Sequence, residues 1–394
     1  MKENDFITYR SDVFKGGNMK KIMTVLLAVF LLLGLVACGG KAEEKVVIEK
    51  AVEAAPAPVA PGAIPAPFGG EKKIKIALVK EWGTGTHMTM HINGVKNEAA
   101  KYGIEVNVID ANNDLQAMAE GIENAVTQGV DAILTSHGKS DALQASIDKA
   151  LRAGIPVIVF DNDFNVPSDV APGMLVAMDQ YDLMMGLLSQ MSLVTYLNGS
   201  ADVIYNRLAN IPPTDKRHRI WEGGILPTYT GINVLETIDL GTSGVMAKSQ
   251  TALEAILDAD KDNNIDAVYA VWDEYAKGFY NAIISSGKTI PLFSVDMSDQ
   301  DLAMMQTHPE IWISSSAVDP TVIGIVQVRL AMLAISGQAL PRYYSLTPVL
   351  VEASDLPTIE ERPLSMADLS EFYAGWGSTQ EFLEDWMADL AAMQ

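Results

Sequence analysis

The chain has only one cysteine, Cys38, among its 394 residues, so it can form no disulfide within itself and no zinc site on paired thiolates. Basic residues are also scarce, with 28 lysines and arginines against 50 aspartates and glutamates and a formal charge of -22. Such a chain repels a phosphate backbone, which excludes general nucleic-acid binding. The sequence motifs of phosphate loops, zinc peptidases and serine hydrolases are missing as well, and we expect no cofactor and no metal.

The longest apolar run covers residues 22–36 and follows a short basic stretch at residues 19–21. This layout is typical of a secretory signal, and the run is shorter than the roughly 20 residues of a membrane span. The run ends in Leu-Val-Ala-Cys38, which resembles the bacterial lipobox and implies cleavage before Cys38 and lipidation of its sulfur. An uncleaved membrane anchor or an incidental buried thiol is the alternative. Residues 1–18 precede the signal and are expected to lie outside the translated chain, which would start at Met19.

Residues 38–71 contain a charged stretch followed by a segment rich in proline and alanine, with five prolines between positions 51 and 70. Proline restricts φ and removes a backbone donor, so this composition favours an extended spacer. We predict a linker that holds a folded domain away from the membrane.

From residue 72 onward, short β-branched segments alternate with amphipathic helical periods, which indicates parallel sheets built from βαβ crossovers. The strands form two similar series, too many for one compact sheet, so we predict an α/β fold of two doubly wound parallel-sheet lobes with a cleft between them. The predicted strands are 73–79, 105–111, 131–136, 155–161, 174–179, 201–206, 232–240, 266–272 and 290–297, followed by 312–320, a helix at 322–335, a strand at 343–353 and a helical tail at 365–394.

Ligands of open α/β sheets bind beyond the carboxyl ends of the strands. The side chains predicted there combine aromatic rings with carboxylate, guanidinium, hydroxyl and imidazole groups. Rings stack on the C–H faces of a sugar and charged groups pair with its hydroxyls, so this mixture suits a sugar or polyol. Each aspartate could instead be a helix cap or turn residue, and the tryptophan of the second lobe could belong to the core. The candidates are Trp82, Thr84, His87, Ser136, Asp161, Asn162, Arg217, Arg219, Trp272 and Asp296.

Two local patterns allow other interpretations. The segment Gly83-Thr84-Gly85-Thr86 follows the first strand but lacks the third glycine of a dinucleotide loop, so a ligand-facing turn is favoured. His87 and His91 have a spacing that can bind a metal on a helix, but no obvious carboxylate accompanies them, which favours a structural role.

Several segments, taken together and in order, resemble the periplasmic sugar-binding proteins of the ribose and galactose type, over roughly residues 73–352. The segments are KIALVKEWGTGTHMTMHINGVKNEAAKYGIEV, IDANND, QGVDAILTSHGKSDAL, AGIPVIVFD, VYAVWDEYAKGFYNAI and FSVDMSD. The resemblance implies a type I binding-protein fold whose lobes are joined by a three-strand hinge. It places residues 72–178 and 317–342 in the first lobe, and residues 179–316 and 343–394 in the second.

The resemblance also implies ligand contacts for Asp161, for Arg217 or Arg219, and for Asp296. Asn162 and Trp272 depart from the ribose-type pattern, which has arginine and asparagine at these positions. These departures disfavour ribose itself, so the implied ligand is another sugar, a polyol or a related polar molecule, bound by hinge closure without bond chemistry.

The function expected from the sequence is that of a monomeric, lipid-anchored substrate-binding protein on the outer side of the cytoplasmic membrane of a bacterium. Its partners would be an ABC permease and its ATPase. One alternative is a receptor of the same fold that presents its ligand to a chemoreceptor or sensor kinase. An exported enzyme with paired carboxylates such as Asp161 and Asp163 is disfavoured because no nucleophile motif accompanies them. A DNA-binding regulator is disfavoured by the signal and by the missing basic headpiece.

Overall fold

The computed structural model describes residues 63–394. The expected start at Met19, the signal at 19–37, the lipidation site Cys38 and the linker up to residue 62 lie outside the described residues. Within residues 63–394, twelve strands form two six-stranded sheets, and helices separate most successive strands. The predicted α/β fold with two parallel-sheet lobes is confirmed.

The elements follow one another as the alternating pattern predicts. In chain order they are β1 (Lys75–Lys80), α1 (Thr86–Lys101), β2 (Glu105–Asp110), α2 (Leu115–Gln128), β3 (Ala132–Ser136), α3 (Ser140–Arg152), β4 (Val157–Phe160), β5 (Leu175–Asp179), α4 (Asp182–Tyr196), β6 (Ser200–Asn206), α5 (Pro212–Ile220), β7 (Gly231–Ile238), α6 (Val245–Ala259), β8 (Ala267–Tyr269), α7 (Asp273–Ser286), β9 (Leu292–Val295), α8 (Asp299–Thr307), β10 (Trp312–Ala317), α9 (Pro320–Ile335), β11 (Tyr343–Ser345), β12 (Val349–Glu352) and α10 (Asp385–Ala391). A π-helical turn, Trp221–Ile225, continues α5.

The first sheet has the strand order β11-β5-β4-β3-β1-β2, and its strands are parallel. One face packs against α1 and α9 and the other against α2 and α3, so the inner strands are buried on both sides. This explains why β1, β3 and β4 are continuous apolar runs rather than alternating ones. We call this sheet and its four helices the first lobe.

The second sheet has the order β12-β10-β9-β8-β6-β7, in which β12 is antiparallel to β10 and the other pairs are parallel. Its helices are α4 to α8, and we call the assembly the second lobe. Helix α8 begins with a capping box in which Ser298 and Asp301 satisfy each other's backbone amides. Only three residues separate the carboxyl end of β8 from α7, and three separate that of β9 from α8.

Three segments connect the two lobes: residues 180–181 between β5 and α4, residues 318–319 between β10 and α9, and residues 346–348 between β11 and β12. The third differs from the sequence-based expectation. The predicted strand 343–353 is two strands, because Pro348 has no N–H for a ladder, and Tyr343–Ser345 pairs with β5 of the first sheet. The second lobe thus resumes only at β12 and not at residue 343.

The C-terminal tail also differs from the expectation of a helical segment on the second lobe. Only Met366–Glu371, a 3-10 turn, and α10 are helical after β12 and its short 3-10 turn. The backbone N–H of Met366 donates to Asp299 Oδ1 on α8 at 2.7 Å, which holds the first part of the tail on the second lobe. The chain then passes to the first lobe, where Arg329 Nη1 donates to the carbonyl of Thr379 at 2.8 Å.

The end of the predicted linker belongs to the fold. Phe68 is buried, and its ring lies 5.2 Å from the ring of Trp386, centroid to centroid. An aromatic side chain that finds a buried partner is removed from water, and this burial stabilises its segment. The spacer predicted for residues 38–71 therefore ends before Phe68.

Candidate functional site

The carboxyl ends of the two sheets face each other across a cleft that contains a cavity of about 300 Å³. This volume lies at the lower end of the range of small-molecule sites. Side chains of both lobes line it, together with a residue of the first connection, Gln180. The lining residues are Thr84, Gly85, Thr86, His87, Met88 and His137 on the first lobe, and Trp272, Asp273, Glu274, Lys277, Asp296, Ser298 and Gln300 on the second.

A second cavity, of about 470 Å³, adjoins the first, and His137 lines both. Three further predicted residues, Trp82, Asp161 and Asn162, lie in the second cavity. The wall supplied by the second lobe is the start of α5, around Pro212. Seven of the ten residues predicted as ligand contacts thus line one cleft, because parallel strands place their carboxyl ends at one edge of each sheet.

Arg217 is predicted as a ligand contact, but its side chain is almost fully buried and its guanidinium group is occupied by protein groups. Nε and Nη2 donate to Asp182 Oδ1 at 3.1 and 2.9 Å, and Nη1 donates to the carbonyl of Val271 at 2.9 Å. Nη1 and Nη2 also form a paired contact with Asp296, at 2.6 and 3.0 Å. In this structure Arg217 holds Asp296 at the cavity wall.

The other predicted arginine, Arg219, is exposed on α5 and lines neither cavity of the described cleft. A helix places residues two positions apart on different sides, so only one of Arg217 and Arg219 can face the second sheet. The predicted Ser136 is fully buried below the cavity wall, where its hydroxyl group lies 2.8 Å from His137 Nδ1.

Asp161 follows β4 with a positive φ of 56°, a left-handed conformation that glycine adopts freely and that asparagine and aspartate adopt more often than most other residues. Burial, and then the negative charges of Asp182 and Asp179, raise the pKa of Asp161 well above its ordinary value. Gln180 Nε2 donates to its Oδ2 at 3.3 Å, whereas Oδ1 has no hydrogen-bond partner among residues 63–394. A buried carboxyl group with a free oxygen beside a cavity is typical of a ligand contact.

The imidazole rings on the first lobe are uncharged at neutral pH. Burial lowers the pKa of His87 to about 4, and burial together with nearby Lys80 lowers the pKa of His137 well below its ordinary value. A neutral imidazole has one donor and one acceptor nitrogen, like the hydroxyl groups of a sugar. The first-lobe wall is therefore polar without carrying a net charge at these positions.

The second-lobe wall contains a charged group that the sequence-based candidates omit. Lys277 Nζ lies 2.5 Å from Glu274 Oε1 and 3.8 Å from carboxylate oxygens of Asp273 and Asp301. Burial and then the charge of Asp301 raise the pKa of Asp273 well above its ordinary value. The Asp273 and Lys277 spacing of four on a helix that follows a strand is a sequence signal that could have identified this pair.

Other residues near the cavities had no usable sequence signal. Gln180 is identified only by its position on a connection between the lobes, and Lys80 only by its burial at the end of β1. Lys80 Nζ lies 2.6 Å from His91 Nδ1, and His91 Nε2 lies 2.7 Å from Gln327 Oε1. His91 is thus held between Lys80 and Gln327. Among residues 63–394, no group of three His, Cys, Asp or Glu side chains is placed to hold a metal ion.

No helix among residues 63–394 combines the length and the apolar character that crossing a bilayer demands.

Comparison with known proteins links this architecture to one family. Residues 76–339 match the family model of the periplasmic binding protein domain. Over 315 residues the chain is 26% identical to the ribose import binding protein of Bacillus subtilis (strain 168), covering 79% of this chain and 92% of that protein. The putative rhizopine-binding protein of Rhizobium meliloti is 26% identical over 223 residues, which are 55% of this chain and 71% of that protein.

Two solved structures share 30% sequence identity with the chain. A sugar ABC transporter structure from Yersinia enterocolitica subsp. enterocolitica 8081 has a TM-score of 0.75 and covers 85% of this chain and 99% of its own. The 5-methylthioribose transporter solute binding protein of Thermotoga lettingae, in complex with 5-methylthioribose, has a TM-score of 0.72 and covers 82% of this chain and 99% of its own.

Proposed function

Because the chain belongs to the periplasmic sugar-binding proteins of the ribose and galactose type, which are transport proteins and not enzymes, we propose that it captures a monosaccharide or polyol for an ABC importer. The observation that carries this proposal is the cavity between the carboxyl ends of the two sheets. Both lobes contribute polar side chains to it, so a ligand bound there contacts both at once.

The chemistry of the walls suits hydroxyl groups. Asp161 and Asp296 supply carboxyl oxygens, His87 supplies a neutral donor and acceptor, and Trp272 supplies an aromatic face for sugar C–H groups. We assign these four residues, with Thr84, Trp82 and Asn162, as ligand contacts. Arg217 and Ser136 act through Asp296 and His137, and Arg219 has no assigned role in the site.

Closure of the two lobes on the ligand provides the mechanism of capture. A ligand that contacts both walls binds the closed arrangement more tightly than the open one, and this difference in affinity shifts the population toward closure. The three connections are short, so they can act as hinges while each sheet stays rigid. The closed form is then the form that the permease and its ATPase recognise.

The choice among ligands follows from the departures from the ribose-type pattern. Trp272 and Met88 place apolar surface beside the polar groups of the 300 Å³ cavity. A sugar or polyol with one less polar face is therefore favoured over ribose. The relative from Thermotoga lettingae was solved with 5-methylthioribose, so that compound belongs in any ligand panel.

A thermal-shift screen against pentoses, hexoses, polyols, nucleosides, amino acids and 5-methylthioribose tests the proposal, because a ligand that binds only the native state raises its melting temperature. We expect a large shift with one sugar or polyol. Asp161→Ala and Asp296→Asn should each weaken that ligand more than tenfold, whereas Asp148→Asn on α3 should not change its affinity. A response confined to nucleosides or amino acids, or unchanged affinity in both cleft variants, would contradict the proposed ligand or site.

We further propose that the protein is a lipoprotein monomer, anchored through Cys38 on the outer side of the cytoplasmic membrane. The support is the basic stretch, the apolar run and the lipobox-like segment of the sequence. Cys38→Ala should move the protein from the membrane fraction to the soluble exported fraction without changing ligand affinity. Retention of the variant in the membrane fraction would instead indicate an uncleaved anchor.

A further inference from the structure

A chain of hydrogen-bonded, buried polar side chains runs from α9 to the cavity wall. Which group donates and which accepts in each bond can be worked out from its first member, Gln327. Gln327 is fully buried, and its Nε2 donates to the carbonyls of Thr135 and Ile158 at 3.0 and 3.3 Å. These two bonds determine which end of the amide is nitrogen. The amide oxygen Oε1 therefore faces His91 Nε2, 2.7 Å away, and can only accept a hydrogen bond from it.

The same reasoning determines the tautomer of His91. Burial, followed by the charge of Lys80, keeps the pKa of His91 well below its ordinary value, so the ring carries a single proton at neutral pH. That proton lies on Nε2, because Gln327 Oε1 offers only an acceptor. Nδ1 is then an acceptor, and Lys80 Nζ donates to it at 2.6 Å. This assignment holds whether Lys80 is an ammonium or a neutral amine.

The next hydrogen bond of the chain joins Lys80 to Ser136. A second N–H of Lys80 donates to Ser136 Oγ at 3.3 Å. The hydroxyl proton of Ser136 needs an acceptor of its own, since Ser136 is fully buried. While Lys80 is an ammonium group, which has no acceptor, His137 Nδ1, at 2.8 Å, is the acceptor among residues 63–394 that the hydroxyl group reaches.

His137 Nδ1 thus accepts a hydrogen bond from Ser136, and the neutral ring carries its single proton on Nε2. Nε2 lies 3.7 Å from Asp161 Oδ2, and the ring lines both cavities. We propose that the chain Gln327, His91, Lys80 and Ser136 holds His137 as an Nε2–H donor beside the Asp161 carboxyl group, and that this pair selects a ligand hydroxyl.

The selectivity follows from the two groups of the pair. A hydroxyl group both accepts and donates, so it can accept from His137 Nε2–H and donate to Asp161. An ammonium group cannot accept a hydrogen bond from His137, and a ligand carboxylate has no proton to donate to Asp161 when Asp161 is ionised. Selection of a hydroxyl rests on the proposed sugar or polyol function, but the tautomer of His137 does not.

Histidine tautomers are observed directly in long-range ¹H–¹⁵N correlation spectra, and the chain has only five histidines. We expect the ligand-free protein at neutral pH to show His137, assigned by its disappearance in His137→Phe, as the Nε2–H tautomer. Ser136→Ala removes the donor to Nδ1 and should produce the Nδ1–H tautomer or a mixture. Ser136→Thr keeps the hydroxyl group and should restore the Nε2–H tautomer.

An Nδ1–H tautomer in the unchanged protein would overturn the proposal, and so would an unchanged tautomer in Ser136→Ala. If that variant does not fold, as judged from its backbone amide spectrum, the tautomer of the unchanged protein and of Ser136→Thr decides.

The ligand part has its own measurement, made with the compound that gives the largest thermal shift. Ser136→Ala should weaken this compound about five- to tenfold, the loss typical of one hydrogen bond, and Ser136→Thr should weaken it less. Equal affinity for all three proteins, with the expected tautomers, would overturn selection through His137. A panel in which no sugar or polyol binds would contradict the proposed function and this selection, while the tautomer would still test the hydrogen-bond chain.

Discussion

Arg217→Met removes the group that neutralises two carboxylates of the second lobe. The side chains of Arg217 and Asp182 are 2% and 0% exposed, and that of Asp296 is 12% exposed. Methionine keeps most of the apolar stem of the arginine, so the charge and its hydrogen bonds are the main loss. Removing one partner of a buried ion pair typically costs about 3–5 kcal/mol, because the other charge stays buried without compensation. We expect a loss of unfolding free energy in this range.

The size of the effect should depend on Asp182 more than on Asp296. Asp182 Oδ2 has no hydrogen-bond partner among residues 63–394, and Lys216 Nζ lies 3.7 Å from it. Without Arg217, the buried Asp182 carboxylate retains only this distant cation. Asp296 is closer to water, which screens its charge.

Urea unfolding of the ligand-free proteins at neutral pH, followed by circular dichroism, measures the loss. Arg217→Met combined with Asp182→Asn should recover at least about 1 kcal/mol of it, because the buried charge is then absent. The deficit of the single variant should also shrink as the pH falls, since protonation removes the uncompensated charge. A deficit below about 1 kcal/mol, or no recovery in the double variant, would refute this account of Arg217.

Three further changes test other parts of the structure, each by the same unfolding measurement. Gly324→Ala should cost about 1–3 kcal/mol, because its Cβ would lie 2.5 Å from the backbone nitrogen of Val95 on α1, whereas Gly223→Ala, with no atom within 4 Å, should be tolerated. Trp386→Ala should cost about 3–5 kcal/mol if the tail is part of the first lobe, and an unchanged stability would show that it is not. Asp161→Asn should raise stability at neutral pH and weaken ligand binding. The pKa of Asp161 is raised in the folded state, so the unchanged protein loses stability as the pH rises from about 3.8 through that raised pKa. The asparagine side chain does not titrate, so the variant lacks this loss. Parallel pH profiles of the two proteins between pH 4 and 8 would contradict the raised pKa.

The fold could be predicted from the sequence because its signal is local and repeated. Each buried parallel strand is a short apolar run, and each helix follows with its own period, so neighbours in the chain determine the element. The prediction was wrong where the local pattern does not show which sheet a strand joins. Residues 343–353 look like one strand, yet Tyr343–Ser345 and Val349–Glu352 pair with different sheets.

The positions of the candidate site could be predicted only in part. Residues that follow strands, such as Asp161 and Trp272, line the cleft because the sheet brings strand ends together. Which of them have free hydrogen-bonding groups could not be predicted. Arg217 is an example: it resembles a ligand contact in the sequence, but its donors are used by Asp182, Asp296 and Val271.

The sequence by itself determined the class of the fold, the order of its elements and the edge of each sheet on which polar side chains gather. These follow from hydrophobic periodicity and chain connectivity, which are properties of neighbouring residues. The tertiary structure decided the chemistry of each side chain in the cleft. Gln327 lies 236 positions from His91, and Arg217 lies 79 positions from Asp296. Charge pairing, burial and the position of a proton depend on such distant partners, so they exist only once the two lobes have folded.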